Sequence, residues 1–169
     1  MPRFHKLFII ICEAIKTMKN KMKKIPFVYA GVDFCEAIVL ACMDFRFWKE
    51  TADFVENHLG IKSFDFPKFP GSAKAINEEK TREFALSCFE VACNLHKVEK
   101  IVLINHSDCG AYDGLSKFGG DKKAEKEFHF KELLKAKDIL RGKFKDREIL
   151  LFYANLSEDG EQIEFLEVE

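Results

Sequence analysis

Apolar residues in this chain follow two rhythms. The runs Ala37–Ala41 (AIVLA) and Ile101–Ile104 (IVLI) are short and unbroken, as is the core of Glu148–Asn155 (EILLFYAN). Such runs suit strands buried on both faces of a parallel sheet. Ser63–Phe66 is a briefer strand candidate. Between these runs the apolar spacing is helical. Phe47–Leu59 reads as a helix stopped by Gly60. Glu79–Leu95 carries a stripe of Phe84, Cys88, Val91, Ala92 and Leu95. Ala124–Lys143 turns Phe130, Leu133, Leu134 and Leu140 inward and its lysines outward. Ser157–Gly160 is a hairpin turn signal, which makes Gln162–Val168 an edge strand. Strands alternating with helices predict an α/β fold. The expectation is a single domain with a central, mostly parallel β-sheet flanked by helices and a C-terminal edge hairpin.

The first residues break this pattern. Leu7–Cys12 (LFIIIC) is apolar, and Lys16, Lys19, Lys21, Lys23 and Lys24 follow it. The apolar core is too short for a bilayer span, and its charge lies on the wrong side for an export signal. Residues 1–30 therefore read as a basic, helical N-terminal extension ending near Pro26. It is expected to pack on the body or on a partner subunit rather than on a membrane surface. Residues 31–169 form the folded domain.

Composition narrows the function. The 169 residues are 47% hydrophobic and 33% charged, with a net charge of -1, which argues against nucleic acid as a partner. Eighteen phenylalanines exceed the needs of one small core and point to a subunit interface. Six cysteines without an export signal predict a reducing, cytoplasmic setting. There a cysteine is a core hydrophobe, a metal ligand or a nucleophile rather than half of a disulfide.

Two strand ends carry the chemistry. After Ile101–Ile104 come His106, Asp108, Cys109 and Gly110. His-x-x-Cys on one short turn can set a nitrogen and a sulfur about 3.5 Å apart, a tetrahedral zinc spacing. Gly110 would let the backbone turn sharply there. After Ala37–Ala41 come Cys42, Asp44 and Arg46, alternate residues that can project into one cleft. Taken singly, the cysteines read equally well as core thiols and Asp44–Arg46 as a surface ion pair. A phosphatase-type loop is excluded, because Trp48 stands where the arginine would be needed. No Cys-x-x-Cys pair occurs. Cys88 and Cys93 fall on the helical stripe and read as packing. His58 and His96 close helices and read as structural, and His129 reads as a surface residue.

Together, Cys42-x-Asp44-x-Arg46 and His106-x-x-Cys109 resemble the paired motifs of the β-class carbonic anhydrases. The resemblance runs from about Glu36 to the C-terminus. It implies Zn2+ held by Cys42, His106 and Cys109, and reversible hydration of CO2 to bicarbonate through a zinc-bound hydroxide. Asp44 would orient that hydroxide, and Arg46 would hold Asp44 off the metal. The family implies a homodimer or a higher homo-oligomer. Two departures mark a divergent member. Phe45 stands where the family often has serine. The loop Pro67–Ala73 keeps Gly71 but shows Phe69 and Pro70, or Lys68 and Phe69 in a shifted register, where the resemblance implies an Arg-Asn pair. Gly71 and Gly110 are the expected substrate-loop positions. Three readings stay open beside the enzyme: a non-catalytic zinc module with Asp44 as fourth ligand, a hydrolase of a related small molecule such as carbonyl sulfide, and a metal-free Cys109–His106 nucleophile.

Overall fold

The apolar runs form the strands of one six-stranded sheet, in a computed structural model that describes residues 23–29 and 31–169. The chain divides into two units, residues 1–32 and 33–169. In the first, residues 23–29 carry neither helix nor strand, and the helix expected earlier in the extension lies outside the described residues. All the elements below belong to the second unit.

The strands are β1 (Ala37–Cys42), β2 (Phe64–Asp65), β3 (Lys68–Phe69), β4 (Lys100–His106), β5 (Glu148–Leu156) and β6 (Ile163–Glu167). Their order is β2-β1-β4-β5-β6, and β3 also pairs with β1. β1 through β5 run parallel, and β6 returns antiparallel to β5 as the edge hairpin. Side chains of a strand alternate between the two faces of its sheet, and here both faces are covered. Ile38, Leu40, Ile101, Leu103, Leu151 and Tyr153 enter one core. Ala37, Val39, Ala41, Val102, Ile104 and Phe152 enter the other. This is why the strands read as unbroken apolar runs rather than as alternation.

Four helices follow: α1 (Trp48–Asp53), α2 (Lys74–Asn77), α3 (Glu79–Asn94) and α4 (Lys122–Lys143). α1 continues into a π-helical turn over Phe54–His58, closed by the bond from Leu59 N–H to the Phe54 carbonyl at 3.0 Å. Asp121 caps α4, its carboxylate accepting from the Lys123 and Ala124 N–H groups at 2.9 and 3.0 Å.

Three expectations need correction. On α3 the buried face is Ala85, Phe89, Ala92 and Cys93. Phe84, Val91 and Leu95 of the expected stripe are 68%, 50% and 65% exposed. The sequence offers two apolar stripes, and the sheet takes the one whose alanines allow close approach. On α4, Leu134 is partly exposed, while His129 is fully buried rather than on the surface. Residues 68–69, expected in a loop, form β3 and extend the sheet beside Cys42.

Candidate metal centre

β1 and β4 lie side by side in register, Ala41 opposite Ile104, so their C-terminal ends open at one level. Open α/β sheets bind ligands at that edge. Cys42 is the last residue of β1 and His106 the last of β4, and Cys109 follows after a tight turn. The turn is made by Asp108, at φ +51. Gly110 was expected to supply it, but its φ is not left-handed, and a Cβ there would touch nothing within 4 Å.

The three candidate ligands are buried, and one donor atom from each lies within 4.8 Å of the others. The two sulfurs are 3.9 Å apart. The His106 Nδ1 donates to the Ser107 carbonyl at 2.8 Å, which fixes the ring and leaves the Nε2 lone pair free to bind a cation. Nε2 is buried and has no hydrogen-bond partner among the described residues. Phe47 packs on this ring with centroids 4.3 Å apart.

The chemistry of the donors fits a cation. The Cys109 S–H bonded to it pulls the Cys42 thiol down to about 4, with the His106 ring and the Gly71 N–H adding to the effect. That thiolate, together with burial, pushes Cys109 upward. Without a cation the pair keeps one proton between them. A divalent ion would displace that proton and be held by both thiolates. Zinc with two sulfurs at about 2.3 Å sets them roughly 3.7 Å apart, close to the spacing here. Cys42, Cys109 and His106 could therefore hold Zn2+ and leave a fourth position free.

Asp44 and Arg46 border this cluster. The Arg46 Nε donates to both Asp44 oxygens at 3.1 and 3.2 Å, and a terminal nitrogen reaches Oδ2 at 2.7 Å. Asp44 Oδ2 is 4.0 Å from His106 Nε2. The guanidinium holds the Asp44 carboxyl below the ordinary carboxylate value, so it stays ionised. The same guanidinium reaches Asp108, at Oδ2 (3.1 Å) and at the carbonyl (3.0 Å). Phe45, between the two, is 83% exposed and turned away.

The loop after β3 closes the other side. Gly71 N–H donates to the Cys42 sulfur at 3.3 Å. Gly71 sits at φ +75, and an added Cβ would lie 2.9 Å from Lys74 Cβ, 3.1 Å from Tyr112 Cε2 and 3.2 Å from Ala111 Cβ. The position accepts only glycine. Ser72 hydrogen-bonds the Leu40 carbonyl at 3.0 Å, and Asn105 Oδ1 accepts from Ala73 N–H at 3.1 Å, fastening the loop to β1 and β4.

Sequence reasoning gave Asp108 and Lys68 no role and missed Asn105 and Glu125. Asp108, inside His-x-x-Cys, ties Arg46 to the β4 turn, while its own N–H donates to buried Glu125 at 2.8 Å. Asn105 also donates to His129 Nδ1 at 3.2 Å behind the site. Lys68 buries its ammonium 4.3 Å from the Phe66 ring centroid, without a hydrogen-bond partner among the described residues. Only Asp108 carried a signal, as an acid within the motif. The others depend on cross-strand register.

Comparison with known proteins agrees with this geometry. Residues 32–164 match the model of a family described as "Putative carbonic anhydrase". The chain belongs to that family, and its sheet and helices have the β-carbonic anhydrase fold. Uncharacterized proteins of Rickettsia bellii and Rickettsia conorii are each 31% identical over 132 residues. That alignment covers 75% of this chain and 80% and 70% of theirs. Among solved structures, β-carbonic anhydrase isoform I of Trichomonas vaginalis is similar at TM-score 0.53 and 13% identity, covering 99% of this chain and 98% of that one. One of two tetrameric β-carbonic anhydrases of Sordaria macrospora is similar at 0.55 and 16%, with 96% of each chain covered.

Proposed function

We propose that this chain is a zinc-dependent carbonic anhydrase that reversibly hydrates CO2 to bicarbonate. The observation that carries this reading is the buried Cys42–His106–Cys109 cluster, with a His106 Nε2 that has no hydrogen-bond partner among the described residues, near two thiols 3.9 Å apart. A bound Zn2+ would supply the Lewis acidity that brings the pKa of a water toward neutrality. Asp44, ionised and 4.0 Å from His106 Nε2, accepts a hydrogen bond from the attacking water and aims its lone pair at CO2. Arg46 holds Asp44 by a forked, charge-assisted pair and keeps it out of the fourth position. The arrangement favours the open form over the closed, non-catalytic module, because Asp44 already satisfies Arg46. Gly71 steadies Cys42 as thiolate through its N–H. Gly110 shapes the approach to Cys109 without backbone strain.

Zinc content and CO2 hydration measured on one purified sample test this reading, with Cys109→Ala alongside. About one zinc at this site and activity lost in the variant support it. Zinc without hydration in the wild type overturns the catalytic reading in favour of a zinc module or another small-molecule hydrolase.

We also propose a homodimer or higher homo-oligomer, working in the reducing cytoplasm, where Cys42 and Cys109 stay free for metal. Exposed Phe84 and Leu95 on α3 support assembly, since an isolated subunit would leave them in water. Among the described residues no helix is long and apolar enough to cross a membrane. Residues 1–30 are proposed as an extension to the 31–169 catalytic domain. Analytical ultracentrifugation at micromolar concentration is expected to give a dimer or larger, and a single monomeric species refutes it.

A further inference from the structure

A second cluster of metal-competent side chains lies at the other end of β1. Cys35, just before the strand, Asp65 in β2 and His96 after α3 place one donor atom each within 4.8 Å of one another. β1 alone, five residue steps at about 3.3 Å, separates the ends of the strand by roughly 17 Å. The two clusters therefore cannot share an ion. We propose that Cys35, Asp65 and His96 form a second site for a borderline divalent cation of the zinc class.

Three observations support the assignment. First, the backbone already fixes the donors. Cys35 N–H donates to the His96 carbonyl at 3.0 Å, and Glu36 N–H donates to the Ser63 carbonyl at 3.0 Å, so the segment before β1 is bound to both neighbouring elements. Second, the three donors already face one another. His96 Nδ1 meets Asp65 Oδ2 at 2.7 Å, and the Cys35 thiol donates to the Ala37 carbonyl at 3.5 Å. A bound cation would satisfy the Cys35 thiolate and the Asp65 carboxylate together. Third, access exists. Asp65 and His96 line an open cleft of about 320 Å³, walled by Phe66, Pro67 and Val91.

The donor set selects the metal. One thiolate, one imidazole and one carboxylate suit zinc and reject calcium and magnesium, which take only oxygen. A tetrahedral ion needs its donors roughly 3.3–3.8 Å apart, so the Asp65–His96 contact opens by about 1 Å on binding. Binding releases the Cys35 Sγ proton, and the imidazole proton where His96 is charged, to solvent. The fourth position faces the cleft and takes water. Held this way, the ion ties the C-terminus of α3 to the start of the sheet.

The test is a zinc titration of the full chain against a chromophoric chelator, read as equivalents bound. Wild type is expected to bind two. Cys35→Ser and His96→Gln each bind one, and Cys42→Ser/Cys109→Ser keeps the one held at Cys35, Asp65 and His96. In that double variant, added zinc raises the thermal midpoint, and adding His96→Gln abolishes the rise. A wild-type stoichiometry of one that Cys35→Ser and His96→Gln leave unchanged overturns the proposal. If only the primary site fails, Cys35→Ser loses all zinc and Cys109→Ser loses none, so the two failures are distinguishable. If Cys42→Ser/Cys109→Ser does not fold, wild type against His96→Gln decides alone: two against one supports the site, and equal values refute it.

Discussion

Replacing Gly71 with alanine probes the loop on which the metal centre leans. The backbone there is left-handed, at φ +75, which costs a side chain about 1–2 kcal/mol. The new Cβ would lie 2.9 Å from Lys74 Cβ, 3.1 Å from Tyr112 Cε2 and 3.2 Å from Ala111 Cβ. Two of those three atoms are Cβ atoms fixed to the main chain, so they cannot swing aside. Overpacking of this kind costs about 1–3 kcal/mol. Alanine recovers about 0.4–1 kcal/mol by restricting the unfolded chain. The net loss is roughly 1–5 kcal/mol, centred near 3, out of the 5–15 kcal/mol that holds a typical domain. Urea unfolding of the metal-free protein measures it, with Gly110→Ala as the control. At Gly110 a Cβ meets nothing within 4 Å and φ is not left-handed, so the change is expected to stay within about 0.5 kcal/mol. The same Gly71→Ala substitution moves the N–H that donates to the Cys42 sulfur, so zinc affinity is expected to fall about 10–100-fold. Equal stability of the two alanine variants would refute the packing argument. Unchanged zinc affinity in a folded Gly71→Ala protein would refute the role of that N–H.

Four further outcomes are expected. Asp44→Ala keeps zinc, measured by elemental analysis, and loses CO2 hydration; wild-type turnover would sink the role given to Asp44. Arg46→Ala frees Asp44 and releases Asp108, and spectroscopy of the cobalt-substituted protein is expected to show a changed coordination sphere; an unchanged spectrum would count against Arg46 as the group that restrains Asp44. Asp44 and Asp108 are both held below the ordinary carboxylate value of 3.8, so the stability they add is present above that pH and is lost as pH falls through their folded values; Arg46→Ala is expected to flatten that acid limb in a series of denaturation curves. Buried His129, pulled from 6.5 to about 3, acts in the same direction at higher pH: below 6.5 the unfolded chain takes a proton the folded one refuses, so stability falls by about 2 kcal/mol between pH 6.5 and 5, and His129→Gln is expected to remove that slope.

The sequence by itself determined the sheet and its chemistry at the strand ends. AIVLA, IVLI and EILLFYAN are short, unbroken apolar runs of the length that suits strands buried on both faces. Cys42, Asp44, Arg46, His106 and Cys109 follow two of those strands directly, so strand register alone brings them to one edge. What the tertiary structure decided is which of several equal local options the chain uses. α3 carries two apolar stripes of similar strength, and only contact with the sheet selects Ala85, Phe89, Ala92 and Cys93 over Phe84, Val91 and Leu95. His129 looks like one polar residue in a lysine-rich helix, and only the position of Asn105 on β4 gives it a partner in the interior. Gly71 and Gly110 look alike in sequence, and the neighbours around Gly71 make one indispensable and the other free to change. Cys35, Asp65 and His96 are separated by 30 and 31 positions along the chain, and the parallel pairing of β1 with β2 beside the end of α3 makes them one cluster. Periodicity reports which elements form, because it is local. The choice of face, the close approach of a loop and the meeting of distant donors are properties of packing, which no single segment contains.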